Sequence, residues 1–221
     1  IETRMGCRVQ TIYGTTDGGV AVMTDIAQSE RARRTTVGRL RAGMHFKLVG
    51  ADGQPVPEGE VGEACWWGPN KSHGYLNQPE YDALVWDAEG WFHSGDLGEF
   101  DDEGNFRIVG RAKDMILRGG TNIFPREVEE LLIRHPAVAG VSVVGVPDTR
   151  LGEMACAVVV VAGGMAPPTL PDLTEFLLGQ GIAKFKLPEH LILTDHLATN
   201  AGGKIDKSEI VQFAVERLTA Q

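Results

Sequence analysis

The sequence predicts an α+β chain in two parts, a β-rich first part over residues 1–110 and a small α+β second part over residues 111–221. Two observations support this division. Between residues 37 and 109, short apolar runs alternate with glycine, proline and aspartate, a spacing typical of antiparallel strands joined by hairpins. After Arg111 the pattern changes to amphipathic helices and longer apolar strands, which is typical of a compact α+β domain.

The first part begins with a helix end and continues as strands separated by turns. Residues 1–17 are typical of a helix end that runs into a strand. Further along, DGQPVPEGE at residues 52–60 and DDEGN at residues 101–105 are rich in the residues that favour turns. Each of these turns lies between apolar runs, so each predicts a hairpin between two strands.

The second part opens with the most informative segment of the chain, which runs from Gly110 to Leu132. It combines a polar turn, a double glycine and a helix start. Gly119 and Gly120 can adopt backbone angles that other residues avoid, and they let a ligand pass close to the main chain. Pro125 suits the first turn of a helix, and the apolar residues that follow it recur at helical spacing.

The remainder of the second part contains two predicted strands followed by two predicted helices. Apolar runs predict strands at residues 141–146 and 155–161, and helical spacing predicts helices at residues 173–178 and 208–218. Between them, residues 163–171 are rich in glycine and proline, which predicts a surface connection and not a domain boundary.

Composition excludes two classes of function. The formal net charge of -9 argues against a nucleic-acid partner, because binding to the phosphate backbone requires a basic surface. A small anionic ligand needs only a few local cations. The longest apolar run, at residues 155–168, is interrupted by glycines and is too short to cross a bilayer, and no targeting segment is visible. We therefore expect neither a nucleic-acid partner nor a membrane span.

The cysteines and histidines show no metal-binding pattern in the sequence. Cys7, Cys65 and Cys156 are odd in number, far apart and without the spacing of metal ligands. They are typical of unpaired buried thiols in a reducing cytoplasm, and we expect a cytoplasmic protein. The six histidines likewise form no ligand spacing and no catalytic triad.

Five motifs occur in a fixed order along the chain. They are YGTTDGG from Tyr13, GEACWWGPNKSHGYLNQPE from Gly62, GWFHSGDLG from Gly90, the segment from Gly110 to Leu132, and TNAGGKIDK from Thr199. In this order they closely resemble the motifs of the adenylate-forming superfamily. That superfamily includes acyl-CoA synthetases, aryl-acid adenylating enzymes, the adenylation domains of peptide synthetases and beetle luciferases. The resemblance covers essentially the whole chain.

The resemblance implies a particular domain organisation. Residues 1–110 correspond to the C-terminal, β-barrel-like part of a large domain, and residues 111–221 correspond to a small mobile C-terminal domain. The joint lies in GRAKD, with Lys113 as the hinge; the alternative is a solvated turn lysine. The family's Ser/Thr/Gly-rich phosphate loop has no match in the chain, so we expect a C-terminal fragment that works with a missing N-terminal part.

The resemblance also implies a site for ATP and Mg²⁺. Tyr13 offers a flat face for adenine, Thr16 offers a hydroxyl to a phosphate oxygen, and Asp17 offers a carboxylate to Mg²⁺. Asp17 departs from the commoner family pattern, which has glutamate, and its shorter side chain would reach the metal through a bridging water. The alternative for this motif is a glycine-rich turn after a strand. The full predicted nucleotide-binding set is Tyr13, Gly14, Thr15, Thr16, Asp96 and Arg111.

Asp96 and Arg111 are each assigned a role by the resemblance. The Asp96 carboxylate would accept hydrogen bonds from both ribose hydroxyls, and the Arg111 cation would lie near the same ribose and phosphate. The alternatives are a turn aspartate that bonds its own backbone and a surface salt bridge, respectively. His93 occupies a position where relatives often have Arg or Lys, which would bring it near the nucleotide; the alternative, which we favour, is a histidine without a role in the site.

The catalytic lysine and the acceptor channel are expected in the second part. Lys204 matches the family's catalytic lysine, a point charge that bridges the substrate carboxylate and the α-phosphate; the alternative is plain solvated surface. Ala198 replaces a proline found in many relatives, so the loop lacks that constraint. Gly119 and Gly120 match the loop that lines the channel for the pantetheine thiol of CoA.

Three functions remain open at the level of sequence. The first is an ATP-dependent carboxylic acid:CoA ligase that forms an acyl-adenylate and pyrophosphate, then an acyl-CoA and AMP, with domain alternation about Lys113. The second is an aryl- or acyl-acid adenylating enzyme that loads a carrier protein. The third is a noncatalytic piece that only binds nucleotide or a partner, inactive by itself. The identity of the small carboxylic acid is not specified by these residues.

Overall fold

The computed structural model describes residues 1–220 and contains two compact units, Ile1–Ala112 and Lys113–Gln221. Both units combine helices with β-sheets, which confirms the predicted α+β class. The division lies two residues beyond the boundary expected after residue 110.

The first unit contains two antiparallel sheets in which each strand pairs with its neighbour in sequence. The first sheet consists of β1 (Ile12–Thr15), β2 (Gly19–Met23) and β3 (Arg39–Leu40). The second consists of β4 (His45–Val49), β5 (Gly62–Trp67), β6 (Phe92–Phe100) and β7 (Phe106–Arg111). The helices are α1 (Glu2–Met5), α2 (Glu30–Thr35) and α3 (Pro79–Val85).

The second sheet confirms the β-rich character expected for this part, but it remains open. β4 and β7 are its two edges, and no closed barrel is formed within residues 1–220. A barrel with a filled interior takes about eight strands, and this sheet has only four. The predicted turns are confirmed, since residues 52–60 lie between β4 and β5 and residues 101–105 lie between β6 and β7.

The aromatic core of the first unit is built around Trp66, which is fully buried near the C-terminal end of β5. Its ring centroid lies 4.9 Å from that of Phe92 and 5.4 Å from that of Tyr13. Phe46 and Phe106 pack in the same cluster. The neighbouring Trp67 points the other way, as the pleat requires, and stacks on His45 with 4.2 Å between ring centroids.

The second unit is a five-stranded sheet with helices on its faces. Its strands are β8 (Ile116–Arg118), β9 (Thr121–Ile123), β10 (Val138–Asp148), β11 (Gly152–Val161) and β12 (His190–Thr194). Its helices are α4 (Pro125–Leu132), α5 (Leu170–Gly179) and α6 (Lys207–Thr219). β10 and β11 form a long antiparallel hairpin, and β12 runs parallel to β11.

Both faces of the β10–β11 hairpin are buried. Val143 and Ala157 belong to a core cluster with residues of α4 and α5, whereas Val144 and Cys156 belong to a second cluster with residues of α6. Successive side chains of a strand point to opposite faces, so a nearly continuous apolar run fills both cores. This arrangement explains why residues 155–161 lack the alternation of a half-buried strand.

The predicted elements of the second unit are confirmed, and three strands were missed. α4 starts at Pro125 as expected, and the strands and helices predicted at residues 141–146, 155–161, 173–178 and 208–218 all lie within longer elements. β8 and β9 have three residues each, which is too few to show a strand period. β12 was missed because its apolar run is only three residues long, Leu191–Leu193, which is also too short to show a strand period.

The three cysteines are unpaired, as expected, but their burial differs from the expectation. Cys65 and Cys156 are buried, and Cys7 is exposed next to the first helix. Burial raises the pKa of the Cys156 thiol to about 12. None of the helices within residues 1–220 is both long enough and apolar enough to cross a bilayer.

Candidate active site

The YGTTDGG motif forms the connection between β1 and β2, and close packing explains its glycines. A Cβ on Gly14 would collide with the carbonyl oxygen of Gly19, and one on Gly18 would lie 2.7 Å from Trp66 Cζ2. The Gly18 amide donates to Thr15 Oγ1 at 2.8 Å, and the Gly18 carbonyl accepts from Trp66 Nε1 at 2.6 Å. The turn is therefore anchored to the aromatic core of the first unit.

Thr16 and Asp17 lie at the tip of this anchored turn. Thr16 is exposed, and Asp17 is half-buried. The Asp17 carbonyl accepts from the Ser72 amide at 2.7 Å, which ties the turn to the segment after β5. A hydrogen bond to the Asp17 carboxylate raises the pKa of Tyr75. A single carboxylate with hard oxygen donors suits Mg²⁺, which usually takes one or two carboxylates together with phosphate oxygens.

Three of the predicted residues meet at the Asp96 carboxylate. Tyr13 donates its hydroxyl to Asp96 Oδ2 at 2.9 Å, and Arg111 Nε lies 3.0 Å from Asp96 Oδ1. The register of β6 and β7 explains the ion pair, because Asp96 lies directly opposite Arg111. The Asp96 side chain is 18% exposed and that of Arg111 is 51% exposed, so the pair lies at the edge of the solvent.

Tyr13 contributes its hydroxyl to this cluster, while its ring is part of the core. The residue is 7% exposed, and its ring centroid lies 5.6 Å from that of Phe106. Burial raises the pKa of the Tyr13 hydroxyl, so it stays a hydrogen-bond donor at neutral pH. The role of Tyr13 as a platform for adenine stays a prediction.

Two further residues support Asp96 and were missed by sequence reasoning. Ser94 Oγ donates to the Ala64 carbonyl at 2.7 Å and accepts from the Asp96 amide at 3.0 Å. Glu63 Oε1 accepts from the Gly95 amide at 2.8 Å. Ser94 stands inside the motif and could have been singled out there. Glu63 is distant in sequence, and only the pairing of β5 with β6 brings it to this point.

In the second unit, Lys204 lies in a tight loop organised by one asparagine. Asn200 Oδ1 accepts from the amides of Gly202 and Lys204, at 3.0 and 3.1 Å. Gly203 has a φ of 74°, which favours glycine, and its amide donates to the Asn200 carbonyl. The Lys204 side chain is exposed. The loop thus presents a cation on a fixed backbone, even with Ala198 in place of the proline of many relatives.

The C-terminal end of the Lys204 loop is anchored at the start of α6. Asp206 caps this helix by accepting from the amides of Ser208 and Glu209. Lys207 Nζ donates to Glu129 Oε1 at 2.7 Å and to the Val143 carbonyl at 3.0 Å, which links α6 to α4 and β10. Lys207 was assigned no role from sequence, although it stands three residues from Lys204 in the same motif.

The double glycine forms a two-residue hairpin turn between β8 and β9. Gly119 and Gly120 have φ angles of 56° and 82°, and Arg118 pairs with Thr121 across the turn. Two consecutive positive φ angles are what a type I′ turn requires. The Gly119 amide donates to the Leu151 carbonyl at 2.8 Å. Both glycines are exposed, so the main chain here is open to solvent.

Lys113 lies in a short 3₁₀ turn, Ala112–Asp114, where the first unit ends and the second begins. Its side chain is exposed. Both the solvated turn lysine and the hinge predicted from sequence are compatible with this position. The hinge role of Lys113 therefore stays a prediction.

Comparison with known proteins assigns the chain to a family. Residues 1–76 match the family "AMP-binding enzyme", and residues 127–204 match "AMP-binding enzyme C-terminal domain". The medium-chain fatty-acid–CoA ligase of Escherichia coli (strain K12) is 36% identical over 214 residues, which are 97% of this chain and 38% of the ligase. Enterobactin synthase component E of the same organism is 36% identical over 220 residues, 100% of this chain and 40% of that protein.

Solved structures give the same assignment. ATP-bound MatB from Rhodopseudomonas palustris matches with a TM-score of 0.83 at 31% identity, over 95% of this chain and 41% of MatB. The o-succinylbenzoate CoA synthetase MenE from Bacillus subtilis matches with a TM-score of 0.82 at 30% identity, over 95% of this chain and 42% of MenE. The chain belongs to the adenylate-forming superfamily. It spans about two fifths of the length of these relatives.

Proposed function

We propose that this chain supplies part of the active site of an ATP-dependent carboxylic acid:CoA ligase, and that the activity belongs to the whole enzyme. The observation that carries the proposal is the Asp96 carboxylate, which Tyr13 and Arg111 hold at the solvent edge of the first unit. Membership of the adenylate-forming superfamily makes a nucleotide the natural partner of such a group. By itself, we expect the 221-residue chain to show no turnover.

In the first half-reaction, a carboxylate oxygen of the acid attacks the α-phosphorus of ATP, and the bond to pyrophosphate breaks. Asp96 accepts hydrogen bonds from the ribose hydroxyls, and Arg111 offers its remaining donors to the nucleotide. Gly14, Thr15 and Thr16 line the phosphates from the anchored turn. Two anions approach each other in this step, so catalysis depends on offsetting their charge.

Two cations, Lys204 and Mg²⁺, offset the negative charge of the acid carboxylate and the phosphates. Lys204 bridges the acid carboxylate and the α-phosphate, a role suited to an exposed cation on a fixed loop. Mg²⁺, when bound, neutralises phosphate oxygens, and Asp17 would hold it. The turn that carries Asp17 is tied to the Ser72 amide, which limits how far the shorter carboxylate can move.

In the second half-reaction, the sulfur of the CoA thiol attacks the acyl carbon, the bond to AMP breaks, and the thiol proton passes to solvent. We propose that residues 113–221 turn about Lys113 between the two steps, so that Gly119 and Gly120 line the thiol channel second. The end of the first unit at Ala112 and the exposed double-glycine turn support this part of the proposal.

Transfer to a carrier protein is the second candidate function. Enterobactin synthase component E matches the whole chain at 36% identity, as closely as the CoA ligase of the same organism does over 97% of it. A salicyl-AMP ligase / salicyl-S-ArCP synthetase of Mycobacterium tuberculosis (strain ATCC 25618 / H37Rv) is 37% identical over 96% of this chain. Because both classes of relative match the chain about equally well, the choice between CoA and a carrier protein as acyl acceptor requires an experiment.

The test is acid-dependent pyrophosphate release by the full-length enzyme, with aliphatic, alicyclic and aryl acids, with and without CoA. Multiple turnovers that require CoA support the ligase. Single-turnover adenylate formation that CoA does not stimulate supports the carrier-protein acceptor. Absence of pyrophosphate release with every acid contradicts both.

Lys204→Ala tests the assigned lysine directly. We expect adenylation to fall by about a hundredfold or more, the range for loss of one charge-stabilising donor, while thioester formation from preformed adenylate is retained. Lys184→Ala is the matched control, since Lys184 is another exposed lysine of the second unit. Equal pyrophosphate release by the Lys204 and Lys184 variants would contradict the assignment.

A further inference from the structure

One face of β5 and β6 gathers three side chains of the kinds that bind transition metals. They are Glu63, Cys65 and His93, and their ligand atoms all lie within 4.8 Å of one another. Cys65 Sγ lies 3.3 Å from His93 Nδ1, and His93 Nδ1 lies 3.3 Å from Glu63 Oε2. No other group of three such side chains has this geometry within residues 1–220.

Strand geometry accounts for the cluster. Glu63 and Cys65 are two residues apart on β5, so their side chains point to the same face. His93 on β6 is directly opposite Cys65 in the register. The register between β5 and β6 shifts between Glu63 and Cys65, as it does at a β-bulge. At this irregularity the Glu63 carboxylate lies beside the His93 imidazole.

Two of the three separations between ligand atoms suit a tetrahedral metal ion, and the third lies within 4.8 Å. With Zn–S of about 2.3 Å and Zn–N and Zn–O of about 2.0 Å, neighbouring ligand atoms of such an ion lie roughly 3.3 to 3.6 Å apart. The Cys65–His93 and His93–Glu63 distances lie at the short end of that range. A mixed set of sulfur, imidazole and carboxylate favours Zn²⁺ over Mg²⁺, which prefers hard oxygen ligands.

The surroundings of the imidazole match those of a metal-bound histidine. His93 Nε2 faces away from the cluster and lies 3.4 Å from Asp87 Oδ2, so in the tautomer that carries the proton on Nε2 this carboxylate accepts it. Such a carboxylate partner is typical of metal-binding histidines, where it orients the ring and fixes the tautomer. Lys47 Nζ lies 3.8 Å from the same Asp87 oxygen and 4.4 Å from the Trp91 ring centroid, which positions Asp87 in turn.

We propose that Glu63 Oε2, Cys65 Sγ and His93 Nδ1 bind one Zn²⁺-like divalent cation, with water as the fourth ligand. Binding replaces the S–H bond of Cys65 with an S–metal bond, and the proton passes to solvent. Cys65 is fully buried, whereas the Glu63 and His93 side chains are 25% and 29% exposed, so the ion enters from their side. Glu63 Oε1 keeps its hydrogen bond from the Gly95 amide, which holds the carboxylate in place.

The test is metal titration of the purified full-length protein after removal of metals with EDTA. All variants carry Cys7→Ser, because Cys7 is an exposed free cysteine and an exposed thiolate is a metal ligand that would compete with the proposed site. Co²⁺ serves as the spectroscopic probe, and Zn²⁺ affinity is measured by competition with a chelating dye. We expect one Co²⁺ per chain, with a thiolate-to-cobalt charge-transfer band and the absorption of a tetrahedral site.

Four variants distinguish a real site from chance proximity. Cys65→Ser should abolish the charge-transfer band, and His93→Gln and Glu63→Gln should each lower Zn²⁺ affinity by tenfold or more. Asp87→Asn should lower it by about tenfold, as expected for the loss of the partner that orients a metal-binding histidine. Circular dichroism checks that each variant is folded.

His45→Gln and Cys156→Ser are the matched controls, a histidine stacked on Trp67 and a buried cysteine of the second unit. Both should bind Co²⁺ and Zn²⁺ as the parent protein does. Absence of the charge-transfer band in the folded Cys7→Ser protein would overturn the proposal. So would Zn²⁺ affinity that is unchanged in folded Cys65→Ser and His93→Gln.

Discussion

At the scale of single residues, Asp96 obtains its geometry from three different strands. It lies in β6, pairs with Arg111 of β7 and accepts a hydrogen bond from Tyr13 of β1. The sequence left open a turn aspartate bonded to its own backbone, and the structure shows a strand residue with side-chain partners instead. For Arg111, the sequence left open an exposed salt bridge, and the structure shows one with Asp96. The role of Arg111 in nucleotide binding stays a prediction.

Asp96→Asn removes the charge while keeping the shape of the side chain. We expect KM for ATP to rise by about tenfold to a hundredfold in the full-length enzyme, because a hydrogen bond to a charged group contributes about 1.5 to 3 kcal/mol. Steady-state pyrophosphate release measures the effect. Glu99→Gln is the control, since Glu99 is another acidic residue of β6 and pairs with the exposed Arg107. A KM equal in the two variants would refute the ribose role.

At the scale of elements, local signals predicted the helices better than the short strands. Pro125 predicted the start of α4. The capping box of Thr169 and Asp172 was not used, and α5 starts at Leu170, three residues before the predicted helix. α2 was missed although its signal was present, since Ser29 Oγ accepts from the Ala32 amide. β8 and β9 depend on the turn between them, whose two positive φ angles favour glycine.

Gly120→Ala should destabilise the β8–β9 hairpin. Alanine at a φ of 82° is strained, and we expect a loss of about 1 kcal/mol in the free energy of unfolding. Denaturant titration measures it. Gly179→Ala is the control, because Gly179 lies at the end of α5 with open space around its Cβ position, so alanine should be neutral or slightly stabilising there. Equal destabilisation of the two variants would argue against a strained turn.

The capping box of α5 predicts a pH dependence of stability. Hydrogen bonds from Thr169 lower the pKa of Asp172, with the side-chain bond contributing most. Because the folded-state pKa lies below the ordinary value of about 4, this contribution is fully present above that value and is lost as the pH falls through the folded-state pKa.

Thermal unfolding of the parent protein and Asp172→Asn, measured from neutral to acidic pH, tests the capping box. We expect the parent to have the higher midpoint near neutrality, and the difference to shrink as Asp172 becomes protonated. Glu175→Gln, an acidic residue of the same helix outside the box, should show no such convergence. A midpoint difference that is independent of pH would contradict the prediction.

At the scale of the whole molecule, each unit has its own core. The clusters around Val143 and around Val144 draw all their members from residues 113–221, and the Trp66 cluster draws its members from residues 1–112. A polypeptide of residues 113–221 should therefore fold cooperatively by itself. Circular dichroism during heating measures this, and a gradual change without a transition would show that the unit needs other parts of the protein.

The sequence by itself determined the α+β class, the order of five motifs, the family and the start of α4, because these depend on local composition and spacing. Which side chains meet in the candidate site was decided by the pairing and register of the strands. Asp96 lies 83 residues from Tyr13, and His93 lies 28 residues from Cys65, yet each pair is in hydrogen-bonding distance. Cysteine and histidine spacing predicted no metal ligands, since that spacing detects ligands close in sequence. Neighbouring strands bring distant residues to one face of a sheet, and only tertiary structure shows which ones.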